Sequence, residues 1–514
     1  MPSLNWIGKE AVVNHDKEVP FKLLRKVKSV SVGNNSQNLI IHGDNLEALK
    51  ALMPYYREKI KCIYIDPPYN TGKEGWAYND NVSSPKIKKW LGKVVGGESQ
   101  DLCRHDKWLC MIYPRLKLLR ELLTEEGVIF VSIDDNENHN LRFILNDIFG
   151  ENNYIQELIW HSKYTVSNDA KFFSRQHEYV LCYAKDISRV TANFSVPRTE
   201  EANKRYSNPD NDPRGSWKAT PLHAKSGKEE NNFEYTFKNE IKWKPPKGRY
   251  HRFSKSTLAK LDNENRLWFG RDNKSTPSVK TFLSEVSKKM KSGSILHFSF
   301  AGHTHKANEQ LAKLMDKGAF DNPKSIDLVK VLCSMVASKD DIILDSFAGS
   351  GTTGEAILEL NKEDKGNRKF ILVELENEVA RPITAERIKR AINEYNYKDG
   401  FEFCELDKPL FDENGQIDES CTFGQLATYI YFIEAKTNID KKKIKSTFIG
   451  DNLDTEFYLI FKEKNHNILS GDSLKSLNKN KKKKVIYADQ CLLSDEYMEK
   501  NNITFKQIPY EIEK

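Results

Sequence analysis

The sequence of 514 residues predicts an α/β protein with a doubly wound, mostly parallel sheet. Short apolar runs rich in Ile and Val alternate with segments that are apolar at helical spacing, which is the pattern of βαβ units. Several of the apolar runs end in an acidic residue or a glycine turn, as in open α/β sheets that bind ligands at the carboxyl ends of their strands. The pattern stops near residue 190 and returns after residue 320. We therefore expect one sheet assembled from two separated parts of the chain.

The first part of the chain predicts strands and helices in alternation. The predicted strands are residues 38–44, 61–65, 128–133, 154–160 and 178–183. Between the first two, a helix ends at Pro54, because proline interrupts a helix interior. Two more helices are predicted at 108–123 and 141–149, the latter ending at Gly150. The polar segment 70–107 is long for a loop in a compact domain, which indicates a functional or disordered segment.

The second part of the chain repeats the pattern. Predicted strands at 341–344 and 370–373 alternate with predicted helices at 326–336, 352–360 and 380–395, and Ser325 is the expected N-cap of the first helix. Beyond residue 400, strands at 456–461 and 485–487 predict a smaller α/β region. We divide the chain into a catalytic part (1–189), an insertion (190–300), a cofactor-binding part (301–400) and a C-terminal accessory region (401–514).

Composition indicates a cytoplasmic protein without a membrane partner. No run approaches the roughly 20 apolar residues of a membrane span, and the first residues lack the pattern of a signal peptide. Eight cysteines are scattered without a C-x-x-C pair, as expected of a reduced protein. Cys103, His105 and Cys110 are the one arrangement to consider as metal ligands. We expect no metal, because a second pair at the spacing of a zinc site is absent.

Positive charge is concentrated in the insertion. Residues 190–300 contain 22 Lys and Arg against 12 Asp and Glu, a net charge of +10, whereas the whole chain carries +7. The rest of the chain is therefore at −3. Aromatic residues are interleaved with these cations, which predicts a segment that contacts nucleic acid. The alternative is a basic surface insertion around a small aromatic core.

A rigid acidic loop follows the predicted strand at 61–65. It consists of Asp66, Pro67, Pro68 and Tyr69, and its two prolines fix two φ angles and prevent continuation as strand or helix. The loop offers a carboxylate, carbonyl oxygens and an aromatic ring at the carboxyl end of a strand. Such groups can accept hydrogen bonds from the exocyclic amine of a nucleobase and stack on its ring. The alternative is a stiff turn without a chemical role.

A glycine-rich turn lies between the predicted strand at 341–344 and the helix that follows. Its sequence is Asp345-Ser346-Phe347-Ala348-Gly349-Ser350-Gly351-Thr352-Thr353-Gly354. Glycines allow close approach of the backbone to a ligand, and the amides of a helix start face that ligand. Glu374 ends the next strand, about where a ribose-binding acid is expected. The turn lacks the lysine of a P-loop NTPase.

Three interpretations of this turn remain. A dinucleotide cofactor is compatible with the glycines, but it explains neither Asp345 at the strand end nor the Asp66 loop. S-adenosylmethionine fits better, with Asp345 and the turn around its methionine and ribose and Glu374 on the ribose hydroxyls. A purely structural glycine turn is the third.

The two motifs together resemble a known family. Asp-Pro-Pro-Tyr-Asn-Thr-Gly at 66–72 and Asp-Ser-Phe-Ala-Gly-Ser-Gly-Thr-Thr at 345–353 are similar to the signature motifs of amino-group DNA methyltransferases. Their order resembles the β class, in particular the modification subunits of type III restriction systems. The resemblance covers about residues 38–395. It implies a circularly permuted S-adenosylmethionine-dependent methyltransferase fold with an inserted target-recognition domain.

The resemblance also implies roles for individual residues. Asp66 and the Pro67 carbonyl would bind the target amine, and Tyr69 would stack on an extruded base, with Pro68 completing the catalytic loop. The implied cofactor site contains Asp44, Asp66, Pro323, Lys324, Ser325, Asp345, Phe347, Ala348, Gly349, Gly351, Thr352 and Glu374.

The expected reaction is methylation of N6 of an extruded adenine in double-stranded DNA. Cytosine N4 is the main alternative acceptor, and Asp rather than Ser before the two prolines favours adenine within this family. Methyl transfer to RNA and a DNA-binding specificity subunit with a non-catalytic cofactor fold also stay open. A single-chain restriction enzyme is disfavoured, since neither a helicase P-loop nor a nuclease carboxylate cluster is evident. A homodimer and a restriction subunit are open as partners beside DNA.

Overall fold

The chain forms two compact units in a computed structural model. One consists of Met1–Phe194 with Gly293–Lys514, and the other is Ser195–Ser292. The structure describes residues 4–33, 36–72, 101–228, 232–273, 275–412, 414–418, 420–439, 444, 447–462, 467–509 and 512, with side chains in the third range from residue 104. Most of the predicted polar segment 70–107 lies outside the described residues.

Strands and helices are numbered in chain order. Those before the insertion are β1 (Lys22–Lys26), β2 (Leu39–His42), β3 (Ile60–Ile65), β4 (Leu123–Ile133), β5 (Tyr154–Trp160) and β6 (Glu178–Ala184), with α1 (Lys9–Val12), α2 (His15–Glu18), α3 (Asn45–Tyr56), α4 (Asp101–Leu122) and α5 (Asn138–Phe149). Those of the insertion are β7 (Ser195–Pro197), β8 (Trp217–Pro221), β9 (His223–Ala224), β10 (Tyr235–Thr236), β11 (Lys242–Trp243), β12 (Tyr250–His251), β13 (Leu267–Trp268), β14 (Ser278–Phe282) and β15 (Lys289–Lys291), with α6 (Glu200–Asn203) and α7 (Lys255–Asn263).

The elements after the insertion complete the first unit. Its strands are β16 (Ile295–Leu296), β17 (Ile342–Asp345), β18 (Lys369–Glu374), β19 (Glu402–Pro409), β20 (Phe448–Asn452), β21 (Thr455–Leu459), β22 (Ile468–Leu469), β23 (Lys483–Ala488), β24 (Gln490–Cys491) and β25 (Ile503–Gln507). Its helices are α8 (Phe298–Ala301), α9 (Thr304–Leu314), α10 (Ile326–Val336), α11 (Thr352–Asp364), α12 (Asn377–Val379), a π-helix (Ala380–Ala385), α13 (Glu386–Tyr395), α14 (Phe423–Ala435) and α15 (Asp495–Lys500). Part of the helix predicted at 380–395 is therefore a π-helix.

The predicted mostly parallel sheet is confirmed. Within the described part of the chain it contains ten strands in the order β1-β19-β2-β18-β17-β3-β4-β6-β5-β16. The pairings from β19 to β4 are all parallel, whereas β1 and β6 pair antiparallel with their neighbours. Strand β19 belongs to this sheet, although its residues fall in the segment assigned from sequence to the C-terminal accessory region. The four-part division of the chain stays a prediction.

Helices cover both faces of the sheet. Ile63 and Ile65 of β3 pack in one hydrophobic cluster with α3, α4 and α5. Cys62 of the same strand points to the other face, where it contacts Cys333 of α10. Since successive side chains of a strand alternate between faces, β3 is buried from both sides, and all six of its residues are buried.

The order of the strands creates a switch point between β3 and β17. From β3 the chain continues to β4 on one side, and from β17 it continues to β18 on the other. Open α/β sheets bind ligands outside the carboxyl ends of the two strands that flank such a point. Both sequence motifs follow these two strands directly.

The insertion is a small mixed unit with an aromatic core. Leu222, Phe237, Leu258, Leu267, Phe269 and Val279 form its buried cluster. Many of the aromatic residues noted in the sequence pack on this cluster, Phe233, Tyr235 and Trp243 among them. The aromatic core that the alternative interpretation predicted is therefore present. Exposed lysines such as Lys242, Lys244 and Lys247 remain on the surface of the unit.

The C-terminal region adds a second sheet, with strand order β20-β21-β23-β25. Its core includes α14 and continues into Phe21, Leu23 and Ala51 from the N-terminal part of the chain. Among the described residues no helix combines the length and apolar character that crossing a membrane demands.

Candidate active site

A cavity of about 780 Å³ lies at the carboxyl ends of β3 and β17. Nine of the predicted site residues line it, namely Asp66, Pro67, Pro68, Tyr69, Pro323, Lys324, Phe347, Gly349 and Glu374. Six predicted residues are not among its lining residues, namely Asp44, Ser325, Asp345, Ala348, Gly351 and Thr352. The structure therefore brings the proline loop and the glycine turn to one cavity, and it positions part of the predicted set behind that cavity.

Asp66 is paired on one side with Lys324. Its Oδ2 lies 3.2 Å from Lys324 Nζ, and 24% of its side chain is exposed, toward the cavity. Its Oδ1 is buried and has no hydrogen-bond partner among the described residues. Burial raises the pKa of Asp66, and the charge of Lys324 opposes that effect. The carboxylate thus retains acceptor capacity, and rotation about its soft χ2 can turn an oxygen toward a donor in the cavity.

Glu178, at the start of β6, joins this pair. Its Oε2 accepts a hydrogen bond from the Tyr69 hydroxyl at 2.9 Å and one from Lys324 Nζ at 3.0 Å. Lys324 Nζ also lies 4.7 Å from the centroid of the Tyr69 ring. Burial by itself would raise the pKa of Glu178, but Lys324 and the hydrogen bonds outweigh it and lower that pKa. The two carboxylates in turn raise the pKa of Lys324 despite burial. Lys324 is therefore a fixed cation between Asp66 and Glu178.

The proline loop is fixed from behind. Trp108 Nε1 donates to the Pro68 carbonyl at 2.7 Å. Asn70 has a φ of 58° and donates through its side chain to the buried Glu137, whose Oε1 also lies 2.5 Å from His105 Nδ1. These contacts hold the backbone of the loop in one conformation, so the Asp66 carboxylate has a defined position.

Asp345 organises the glycine turn. Its Oδ1 accepts from the Phe347 amide at 3.0 Å and its Oδ2 from the Thr353 hydroxyl at 2.5 Å. Burial raises the pKa of Asp345 to about 7. Gly351 has a φ of 80° at the start of α11, and the carbonyl oxygen of Thr384 lies 3.2 Å from where a Cβ would be. Asp345 and Gly351 thus shape the turn from behind the cavity wall.

Glu374 forms part of the wall. It is 6% exposed; its Oε2 accepts from the Gly349 amide at 2.7 Å and its Oε1 from the Glu376 amide at 3.0 Å. Burial raises the pKa of Glu374 to about 7. A carboxylate has about four lone-pair positions, so acceptor capacity remains for hydroxyl groups in the cavity.

Three other predicted residues lie outside the lining of the cavity. Asp44 caps α3 by accepting from the amides of Leu46 and Glu47, and its Oδ2 lies 2.9 Å from Arg115 Nη2. Ser325 precedes α10 as expected, but its hydroxyl makes no capping hydrogen bond, so that expected contact is absent. Thr352 donates through its hydroxyl to the Lys324 carbonyl at 3.2 Å, which ties the Lys324 segment to the glycine turn.

Sequence reasoning missed the residues that come from the β5–β6 connection. Ser162, Lys163, Arg175 and His177 line the cavity together with Glu178. Arg175 bridges the end of β4, with Nη1 2.8 Å from Asp134 and Nε 2.9 Å from Asp135. The sequence offered one signal of these residues, namely the polar and basic character of the segment between two predicted strands. That character alone does not show that the segment reaches the cavity, because the antiparallel pairing of β5 and β6 brings it there.

In the described part of the chain, no group of three or more His, Cys, Asp or Glu side chains could hold a metal ion. Of the residues considered as ligands, His105 contacts Glu137 and Cys110 contacts the Ile7 carbonyl. The side chain of Cys103 lies outside the described residues.

A family model identifies the family to which the chain with this cavity belongs. The model of the DNA methylase family (N6_N4_Mtase) matches residues 60–231 and 224–386, which include both motifs and the insertion. The chain belongs to the DNA methylase family. The resemblance stated from the two motifs is thereby confirmed.

Curated relatives agree with this DNA methylase family membership. The type III restriction-modification enzyme StyLTI Mod subunit of Salmonella typhimurium is 32% identical over 70% of this chain and 55% of its own length. The EcoP15I Mod subunit of Escherichia coli is 32% identical over 73% of this chain and 64% of its own length. The type II methyltransferase M.KpnI of Klebsiella pneumoniae is 27% identical over 73% of this chain and 87% of its own length. The chain thus spans about three fifths of the length of the two Mod subunits.

Proposed function

We propose that the chain transfers a methyl group from S-adenosylmethionine to N6 of an extruded adenine in double-stranded DNA. The observation that carries this proposal is one cavity lined both by the Asp66 loop and by Phe347 and Gly349 of the glycine turn. Membership in the DNA methylase family supports methyl transfer to an amino group. The aspartate at the first position of the loop favours adenine over cytosine.

The chemistry of the cavity wall fits S-adenosylmethionine. Glu374 offers carboxylate oxygens to ribose hydroxyls, and Phe347 offers an apolar surface to the adenine ring or the thioether chain. Gly349 brings backbone to the wall without a side chain, and a Cβ there would lie 3.1 Å from the Phe320 ring. When bound, S-adenosylmethionine supplies a sulfonium methyl group as the electrophile.

Asp66 and Pro67 would position and activate the target amine. The lone pair of an adenine amine is delocalised into the ring, so the nitrogen is a weak nucleophile. Hydrogen bonds from N6 to the Asp66 carboxylate and the Pro67 carbonyl favour a pyramidal nitrogen with its lone pair directed out of the ring plane. The cavity is partly buried, which strengthens such hydrogen bonds relative to water. Catalysis then consists of positioning and electrostatic stabilisation, without a covalent nucleophile.

The Asp66 carboxylate also suits the proton that the amine loses. Nitrogen carries a positive charge once it has gained a fourth bond, and its surplus proton needs an acceptor. Burial raises the pKa of Asp66, so this carboxylate is more basic than an exposed aspartate. Lys324 stays paired with Glu178 throughout, which limits the charge change near the site.

A labelled transfer assay tests the proposed reaction. The purified chain is incubated with unmethylated plasmid DNA and methyl-labelled S-adenosylmethionine, and the digested nucleosides are identified by mass. We expect labelled N6-methyladenine. Labelled N4-methylcytosine would establish the alternative acceptor. DNA binding without label in any nucleoside would instead support a specificity subunit that lacks methyl transfer.

Protonation of Glu374 should weaken cofactor binding. Ribose hydroxyls donate more strongly to a carboxylate than to a carboxylic acid, and the pKa of Glu374 is raised to about 7. Binding therefore favours the deprotonated form and releases a proton below that pH. We expect the affinity for S-adenosylhomocysteine, measured by calorimetry, to increase about fivefold between pH 6 and pH 8.

Two variants separate Glu374 from its neighbour Asp345, whose pKa is also raised to about 7. Glu374→Gln should bind more weakly and lose the pH dependence, because its amide does not titrate. Asp345→Asn should keep the pH dependence. An affinity of the unaltered chain that is constant from pH 6 to pH 8 would argue against a hydrogen-bonding role of Glu374.

The insertion would select the DNA sequence. Its net positive charge and exposed lysines, such as Lys242 and Lys244, suit phosphate contacts, while other surface side chains would reach base edges. Exchanging residues 195–292 for the corresponding segment of a related enzyme should change which sequence is methylated, as read by genome-wide mapping of methylated adenine. A chimera that is active at the original sequence would refute this assignment.

Two further partners are proposed beside DNA. Relatives are named as Mod subunits of type III restriction-modification enzymes, which supports a restriction subunit as a partner. A homodimer is the second proposal, and light scattering of the purified chain distinguishes it from a monomer.

A further inference from the structure

The connection between β5 and β6 presents two phenylalanine rings to solvent. Phe172 is 82% exposed and Phe173 is 94% exposed. Moving a phenylalanine side chain out of water is favourable, and adjacent exposed rings mark an interaction site more often than single exposed residues do. The two rings are therefore a surface that folding leaves available for a partner.

The base of this connection is fixed at the rim of the cavity. The Lys163 amide donates to the Gln176 carbonyl at 3.1 Å, and the Ser167 amide donates to Ser174 Oγ at 2.8 Å. Lys163 and Arg175 line the cavity. Phe173 is two residues from Arg175, so their Cα atoms are at most about 7 Å apart. The rings thus extend from a closed loop whose two ends border the candidate active site.

The charges beside the rings suit a polyanion. Residues 163–175 contain the cations Lys163, Lys171 and Arg175 against the single acid Asp169. Lys171 Nζ lies 5.3 Å from the centroid of the Phe172 ring. Apolar rings flanked by cations combine a group that enters a base stack with groups that contact phosphates.

We infer that Phe172 and Phe173 insert into the DNA duplex beside the target adenine and fill the space that the extruded base leaves. This inference rests on the proposed function. Extrusion breaks the stacking of the target base with its neighbours, and a flat apolar ring restores part of that contact for the bases left behind. The loop occupies the required place, because it borders the cavity that would receive the base.

The double variant Phe172→Ala/Phe173→Ala tests the inference on two duplexes. Both carry the sequence that the unaltered chain methylates, but in one of them the target adenine lies opposite an abasic site and is already unpaired. We expect kcat/KM to fall at least about tenfold on the fully paired duplex, because stacking on an aromatic ring contributes substantially per base. On the abasic duplex we expect kcat/KM within about twofold of the unaltered chain, since extrusion is easier there.

Two controls distinguish insertion into the duplex from the general effect of removing an exposed apolar side chain. Leu453→Ala removes an apolar side chain that is 88% exposed in the connection between β20 and β21 and should leave both duplexes unaffected. With 2-aminopurine at the target position, the unaltered chain should increase fluorescence on binding, and the double variant should not. Equal losses on both duplexes, or no loss on either, would overturn the inference while leaving the proposed function intact. If the unaltered chain transfers no label to any DNA in the transfer assay, that result would instead overturn the proposed function itself.

Discussion

Replacing Asp66 with asparagine should lower kcat for methyl transfer by about a thousandfold, comparable to the loss of one preorganised hydrogen-bond partner of a transition state. The amide has nearly the shape of the carboxylate, but it carries no charge and cannot take up the proton of the amine. Its NH₂ group would also face the amine donor. Single-turnover transfer of labelled methyl groups to DNA measures the effect. Binding of S-adenosylhomocysteine should change little, because Glu374 and the glycine turn stay intact.

Stability distinguishes a chemical effect of this substitution from misfolding. Burial raises the pKa of Asp66, so the ionised carboxylate opposes folding at neutral pH relative to a neutral group. Asp66→Asn should therefore unfold at the same or a higher temperature. Asp316→Asn makes the same chemical change at an exposed position outside the cavity lining and should keep activity within about twofold. Near-normal methyl transfer by folded Asp66→Asn would contradict the proposed role of Asp66.

Replacing Arg387 with methionine should destabilise the first unit by about 3–5 kcal/mol, the usual effect of removing one partner of a buried ion pair. Arg387 is 1% exposed and Glu355 is 2% exposed. Arg387 Nε donates to Glu355 at 2.7 Å, and its Nη1 donates to Ser350 Oγ at 2.8 Å and Thr352 Oγ1 at 2.9 Å. The substitution leaves a buried carboxylate unpaired and frees the glycine turn, so affinity for S-adenosylhomocysteine should fall as well.

The thermal unfolding midpoint measures the loss of stability in Arg387→Met. A matched control is Arg390→Met, where the arginine is 47% exposed, pairs with Glu386 one turn away and donates to the Leu314 carbonyl at 2.9 Å. Partly exposed contacts of this kind contribute about 1 kcal/mol or less. The double variant Arg387→Met/Glu355→Gln should recover part of the lost stability, since no unpaired charge remains. An unaltered midpoint for Arg387→Met would show that the buried pair does not stabilise the turn.

Local motifs made much of the site predictable from the sequence. Asp66 and its two prolines follow a short apolar strand, and the glycine turn follows another. Parallel strands direct their carboxyl ends to the same edge, so both motifs could be expected to meet there. The strand alternation likewise predicted the sheet, because apolar runs with β-branched residues such as Ile63 and Ile65 are typical of strands buried on both faces.

Contacts between distant parts of the chain were not predictable in the same way. Glu178 and Arg175 reach the cavity because β6 pairs antiparallel between β4 and β5, an arrangement that periodicity alone does not specify. Asp44 illustrates the opposite case: it occupies the expected strand end, yet its carboxylate caps α3 and pairs with Arg115. A residue type at a strand end indicates where a side chain lies, but its partners decide what it contacts.

The insertion shows a further limit of prediction from the sequence. Its interleaved aromatic and basic residues predicted a nucleic-acid surface, whereas several of the aromatic residues form the core of the unit. The composition of a segment does not separate core from surface when its strands are as short as β10 and β11. The exposed basic residues then remain for the proposed phosphate contacts.

A crystal structure of the chain with S-adenosylhomocysteine tests the central claim most directly. We expect its ribose hydroxyls within hydrogen-bonding distance of Glu374 and its sulfur in the same cavity as the Asp66 carboxylate, facing the proline loop. Ligand density anywhere outside that cavity, or a sulfur separated from Asp66 by protein, would contradict the account.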